Sequence, residues 1–366
     1  MFFIGPILFG LAFYAYSGAQ PFLLLFWCWL AIIWRRYLWA NKKMALLAMG
    51  VPVLTLLPTF YVMLRGGGSG MGRFNTLSVL KATDENGLLL PLAVRAFIFV
   101  KNYLSHFSPQ FLFFTGDALP RHALPGFGVM LHIEMLFLIA GIYRAYRRRS
   151  SGDLLLLGWF LLMPFSAALT REGIPHALRT LHALPCPQIL SAIGAVELMD
   201  WFRTKNKPIL GKALIALTML NVLAVAFSLF CVFPRRSAPW FEAGIAEAVK
   251  AAGAGRIAIL SGGVQNGGNL PYYYELYHFH TKTDPVRLRD AQSVPEGGVF
   301  IAPPGTPPGR MLQTSADALL LSALDYHSGY AQILQENGWK VTPIFLPPDL
   351  LHPEPAEFLW VAKKTE

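Results

Sequence analysis

Long apolar stretches alternate with short basic loops over the first two thirds of the chain, and that alternation predicts its architecture. Met44–Leu64 and Ala213–Phe233 contain no charged residue, and each can cross a hydrocarbon core of ~30 Å as one helix. Met1–Trp34 is equally free of charge but too long for one straight crossing at about 1.5 Å per residue. Ser17-Gly-Ala-Gln-Pro21 interrupts it, which predicts a hairpin of two short helices. Pro125–Tyr143, Leu154–Thr170 and Ala183–Met199 complete a set of about seven spans, with Pro52 and Pro58 kinking the third. Leu88–Ser105 is apolar too, yet it holds Arg95, Lys101 and Asn102. Arg95 and Asn102, seven apart, share a helical face, so this segment is expected to lie in the interface rather than cross.

The loops orient these spans. Arg35, Arg36, Lys42 and Lys43 fill one; Arg144, Arg147, Arg148 and Arg149 a second; Arg203, Lys205, Lys207 and Lys212 a third. By the positive-inside rule these loops face the cytoplasm. The excursion 65–124, whose Gly66–Gly72 portion has linker composition, and the loop Arg171–Pro185 then fall outside. Only Arg235 and Arg236 oppose this arrangement. From about Ser237 the pattern becomes that of a small α/β module. Trp240–Ala252 is an amphipathic helix stopped at Gly253. Arg256–Leu260, Gly298–Ala302, Lys340–Phe345 and Glu357–Ala362 are strand candidates with helical patterns between them. The expected fold is therefore an α-helical polytopic membrane domain over 1–236 followed by an extracytoplasmic α/β domain over 237–366. No solenoid repeat is present.

Composition agrees. Of 366 residues, 54% are hydrophobic and 14% charged, against about 25% charged in soluble domains; mean hydropathy is +0.43. The net charge of +10 resides in the short loops beside apolar spans, which argues for membrane lipids and against nucleic acid as partner. Cys28, Cys186 and Cys231 lie in or beside apolar segments and read as small core hydrophobes. Without a basic region before its first apolar run, the N-terminus is not expected to be a cleaved signal.

Candidate chemistry concentrates in Arg171–Pro185. Pro175 suits the first turn of a short helix, in which His176, Arg179 and His182, three apart, would share one face beside Arg171 and Glu172. Guanidinium forks match phosphate oxygens, so Arg171, His176 and Arg179 are candidates for holding an anionic headgroup. The alternative is that these side chains only snorkel to lipid headgroups. Arg121 and His122 precede the next span and fit the same chemistry, with Asp117 placed to orient one of them. His132 and Glu134, inside Pro125–Tyr143, would be costly in lipid unless functional or solvated near its outer end. Asp84 and Glu85 read as a solvated turn. Ser261–Asn269 is glycine-rich but lacks phosphate-loop spacing, and His278 and His280 lack a third metal ligand. No metal site is read from the sequence, although a divalent metal is compatible with phosphate chemistry.

Several of these residues, in order, resemble the GT-C superfamily of polytopic glycosyltransferases, in particular bacterial relatives of protein O-mannosyltransferases and of the aminoarabinose transferases of lipid A. The likeness is carried by Gly10-Leu-Ala-Phe-Tyr-Ala-Tyr-Ser-Gly-Ala-Gln-Pro21, Arg73-Phe-Asn75, Asn102–Asp117, Arg121-His122, His176-Ala-Leu-Arg179 and Pro271-Tyr-Tyr-Tyr-Glu-Leu-Tyr277. Together they span roughly residues 5–350, each motif being short. The resemblance implies transfer of a sugar from a polyprenyl-phosphate donor to an acceptor on the extracytoplasmic face of a bacterial inner membrane. It also implies a catalytic carboxylate in the first external loop, where this chain has only Ser17-Gly-Ala-Gln20. The expectation is thus a protein matching the later spans and outer domain of the family and lacking its catalytic N-terminal part, the pattern that a late start codon, a split gene with that part on a separate chain, or a degenerate paralogue would each give. A non-catalytic envelope binding or assembly protein with a membrane anchor is the alternative.

Overall fold

Charge-free N-terminal residues form the predicted hairpin: α1 (Ile4–Ala15) and α2 (Gln20–Ile33) are joined by a 3-10 turn at Ser17–Ala19, with Pro21 in the first turn of α2. The computed structural model describes residues 4–43, 45–46, 50, 54, 56–58, 61, 77–84, 86–241, 243–253, 256–260, 279, 299–302, 307–313, 316–322, 326–346 and 354–364. These divide into two units, Met1–Ser228 and Leu229–Glu366. Most of the Met44–Leu64 span, Glu85, and the motifs at 66–75, 261–269, 271–278 and 280 lie outside the described residues.

The first unit is mostly helical. Beyond the hairpin come α3 (Arg35–Ala40), α4 (Leu92–Ser105), α5 (Glu134–Arg148), α6 (Ser151–Leu162), α7 (Phe165–Ala168), α8 (Cys186–Thr204) and α9 (Pro208–Phe227). Among the described residues two helical runs are long and apolar enough to cross a membrane, Ser151–Ala168 and Pro208–Ser237. The second, of mean hydropathy 2.4 over its most apolar window, has only 6% of that window buried, which is not how the core helix of a water-soluble protein sits. Large apolar side chains are likewise exposed along the shorter helices, among them Leu8, Leu92, Phe97, Ile139 and Val196.

One predicted span starts later than expected. Pro125–Tyr143 is turn as far as Ile133, and α5 begins only at Glu134. His132 Nε2 lies 2.9 Å from the Gly126 carbonyl, and Glu134 accepts the Leu131 amide at 2.8 Å. His132 therefore lies in the turn before the helix, and Glu134, its first residue, holds that turn from the helix start.

Glycine brings α5 and α8 together. A Cβ added at Gly141 would lie 1.8 Å from the Leu190 carbonyl oxygen, and one added at Gly194 1.8 Å from that of Phe137. Farther along, Arg144 Nε meets Glu197 Oε2 at 3.0 Å. Gly141 and Gly194 face each other, and Arg144 and Glu197 pair three residues further on in both helices, so the two helices run parallel. Helix α6 returns between them: Cys186 Sγ lies 3.2 Å from the Leu156 carbonyl, and Trp159 donates to the His182 carbonyl at 3.0 Å. Its start is fixed by a capping box in which Ser150 and Asp153 exchange hydrogen bonds, with Arg148 2.7 Å from Asp153. The basic loops after α5 and α8 thus share one end of the unit, and the segments before those helices share the other.

The second unit is a five-stranded mixed sheet in the order β2-β1-β3-β5-β4. Its strands are β1 (Ile257–Leu260), β2 (Val299–Ala302), β3 (Ala318–Ser322), β4 (Trp339–Leu346) and β5 (Ala356–Lys364). β1 pairs in parallel with β2 and β3, whereas β5 is antiparallel to β3 and β4. A helix, Ile245–Ala252, covers one face with Ile257, Ile259, Leu320, Leu359 and Val361, while Met311, Leu319, Leu321, Leu334 and Trp339 build the core on the other. Four strands fall at the predicted segments. β3, Ala-Leu-Leu-Leu-Ser, was expected as part of a helical stretch. Its residues alternate between the two cores, and so short an unbroken apolar run reads equally as helix.

Candidate functional site

At the end of the first unit opposite the basic loops, the segments before α5 and before α8 meet around one carboxylate. Asp117 is buried, its side chain wholly covered. Its Oδ1 accepts the Leu119 amide at 2.8 Å and its Oδ2 the Ala177 amide at 2.5 Å. One acid therefore ties two loops that are 60 residues apart in sequence. A further strut, the Ala118 amide donating to the Pro175 carbonyl at 3.2 Å, runs alongside. Gly116, at φ +71°, makes the turn into Asp117, where any Cβ would also press on the Phe127 carbonyl at 3.3 Å.

Two imidazoles face the same carboxylate oxygen. His176 Nδ1 stands 3.2 Å and His122 Nδ1 3.6 Å from Asp117 Oδ2, and the two rings are 5.2 Å apart, centre to centre. Both Nδ1 atoms are buried, and neither makes a hydrogen bond of ordinary geometry. Burial lowers the His122 imidazole below its ordinary value, aided by the charges of His176 and Arg121 and opposed by Asp117. Burial by itself would raise the Asp117 carboxyl; contact with His176 and the hydrogen bonds from the Leu119 and Ala177 amides outweigh it and leave the group below its ordinary value. Arg121, beside His122 in a short 3-10 turn, has a buried Nε without a hydrogen-bond partner.

Behind this trio lies His106, fully buried at the C-terminal end of α4. Its Nδ1 sits 2.7 Å from the Asn102 carbonyl, and its Nε2 accepts the His176 amide at 3.1 Å. Those two contacts require a neutral ring protonated at Nδ1. Burial pulls it down to about 4, with the Asn102 carbonyl acting the other way. Asn102, on the same helix, donates to the carbonyls of Thr170 and Ala168 at 2.8 and 3.4 Å. His106 falls within Asn102–Asp117 but is not among the sequence candidates; its i, i+4 spacing from Asn102 is the signal that points to it.

The other candidates distribute as follows. Arg179 donates to the Thr170 hydroxyl and, at 2.8 Å, to the Glu172 carbonyl, and its charge also bears on His106. Arg171 and Glu172 are exposed. Arg95 shares the predicted face with Asn102 and donates to the Leu80 carbonyl at 2.6 Å, beside the bridge that joins Ser78 to Thr170. The expected common face of His176, Arg179 and His182 does not form. The helix there is a 3-10 turn, Leu178–Ala183, that starts after His176, and Pro175 lies outside it. His182 instead lies 2.9 Å from the Met163 carbonyl and packs on Phe22 at 4.1 Å. Because the buried Asp117 captures His176, that residue is withdrawn from the helical register.

No protein-family model, curated protein or solved structure matches this chain. The functional reading therefore stands on the site itself. What that site brings together is a fixed carboxylate and two ring nitrogens aimed at it, with the charge of Arg121 bearing on His122 and that of Arg179 on His106 behind. Such a set can hold an oxyanion or a metal ion. Asp117 is poorly suited to serve as an acceptor base, since each of its oxygens already takes an amide hydrogen bond.

Proposed function

We propose that this chain is a GT-C-like glycosyltransferase component that holds the phosphate of a polyprenyl-phosphate sugar at the extracytoplasmic face of a bacterial inner membrane. The observation that carries this reading is the meeting of His122 and His176 at Asp117, with the charge of Arg121 acting on His122 and that of Arg179 on His106, at the end of the helices remote from the basic loops. About seven spans, with the N-terminus inside and the α/β unit outside, fit the parallel α5 and α8, the exposed apolar helix faces and the positive-inside rule. A lipid phosphate arriving at that end meets two guanidinium groups in a region of lowered dielectric, where charge-assisted hydrogen bonds are strongest. The leaving phosphate of sugar transfer would be stabilised by the same groups. Activation of the acceptor is left to a carboxylate on a second chain, because Asp117 is occupied. The test is binding of a polyprenyl-phosphate sugar to the full chain reconstituted in lipid. Arg179→Ala and Arg121→Ala should each abolish it while the protein stays folded; unchanged binding in both variants rejects the assignment.

A second reading is favoured by one observation, the engagement of Asp117 by two backbone amides. In it the protein is a non-catalytic envelope binding or assembly factor whose α/β unit does the work. Under that reading the reconstituted wild-type chain binds no lipid-linked sugar at all.

A further inference from the structure

We propose that Asp117, His122 and His176 form a binding site for one divalent transition-metal ion of the zinc class. One ligand atom from each of the three lies within 4.8 Å of the other two, and both histidines turn Nδ1 to Asp117 Oδ2. A tetrahedral ion with ligands at about 2.0–2.1 Å sets those ligands about 3.3 Å apart. The two separations to Asp117 Oδ2, 3.2 and 3.6 Å, bracket that edge.

Hydrogen bonding alone does not account for the arrangement. Asp117 Oδ2 has two lone pairs, and the Ala177 amide takes one. Two imidazole nitrogens then converge on the one that remains, and neither achieves hydrogen-bond geometry. His176 is only 5% exposed, so its Nδ1 has no recourse to solvent, and a buried unpartnered nitrogen is costly. A single cation between the three atoms satisfies both ring nitrogens and the free carboxylate lone pair together. Two imidazoles and one carboxylate are a donor set suited to zinc, iron, cobalt or nickel rather than to magnesium or calcium. Three protein ligands leave a coordination position for water or a phosphate oxygen. The ligands are also held from behind: Leu119 and Ala177 fix the carboxylate, and His106 fixes the backbone of His176. The proposal goes beyond the lipid-phosphate reading and does not depend on it.

The experiment uses the full-length protein in detergent, stripped with a chelator and desalted. Zinc titration by calorimetry and metal content by mass spectrometry should give one ion per chain, and cobalt should give the visible absorption of a tetrahedral site. His122→Ala, at a half-buried position, and Asp117→Asn, which keeps the shape and one of the two amide acceptors, should each weaken zinc binding at least tenfold and abolish the cobalt signal. His327→Ala, in the other unit, should leave both intact. Absence of stoichiometric binding in the wild-type chain, or equal binding in His122→Ala and Asp117→Asn, overturns the proposal. The two readings separate cleanly. Zinc binding without donor binding keeps the metal site and rejects the lipid reading, while donor binding unaffected by removal of all metal, in a chain that takes up no zinc, does the reverse.

Discussion

Packing of α5 against α8 gives the sharpest test of the helical unit, through Gly141→Ala. In isolation the change favours the helix by about 1 kcal/mol, because glycine is the poorer helix former. In the fold the new Cβ would stand 1.8 Å from the Leu190 carbonyl oxygen and 2.7 Å from its carbon, both backbone atoms that cannot rotate aside. Ordinary contact needs roughly 3.3 Å or more, so the helices must part by about 1.5 Å along a seam that also holds Gly194 against Phe137. Overpacking of this kind costs about 1–3 kcal/mol and more when backbone must move, which exceeds the propensity gain. For a unit of this size each kcal/mol moves the midpoint by about 2–4 °C, so the apparent Tm in detergent should fall by about 5 °C. Gly211→Ala is the control: its Cβ would meet only the flexible end of Met199, at 3.2 Å, and its Tm should hold or rise. If Gly141→Ala melts at or above the wild type, the close parallel seam is not there, and with it goes the argument that both basic loops share one end.

Other outcomes follow from the buried polar groups. His182 is held down to about 4, chiefly by burial, with its Nδ1 enclosed and without a partner; its folded value lies below the ordinary 6.5, so its contribution is complete above about pH 6.5 and is lost as pH falls towards 4. The full span corresponds to about 3 kcal/mol, and a Tm profile from pH 7 to 4 should steepen accordingly and flatten in His182→Phe. Asn102→Ala strands the carbonyls of Thr170 and Ala168 and should cost about 1–3 kcal/mol, read as a Tm loss of several degrees. If Asn102→Ala melts like the wild type, those carbonyls have other partners.

Much of the architecture was legible one residue at a time. Charge-free runs, the break at Ser17–Pro21 and the helical face shared by Arg95 and Asn102 are properties of local sequence, because a helix exposes its periodicity along the chain. The same holds for β1, β2, β4 and β5. β3 is a short unbroken apolar run, which reads equally well as a piece of buried helix and so carries no mark of its own.

The sequence by itself determined that this protein is rich in apolar helix, that a small α/β unit follows, and that basic and imidazole side chains crowd the segments around 117–122 and 171–182. Only the tertiary structure decided which of them meet. Asp117 reaches across 60 residues to the Ala177 amide and draws His122 and His176 to one oxygen, while His106 holds the backbone of His176. His182, equally spaced in sequence, is turned to Met163 and Phe22 instead. Helical spacing assigns faces only while a helix persists. Once the chain leaves it, a buried carboxylate that must be satisfied decides where its neighbours point.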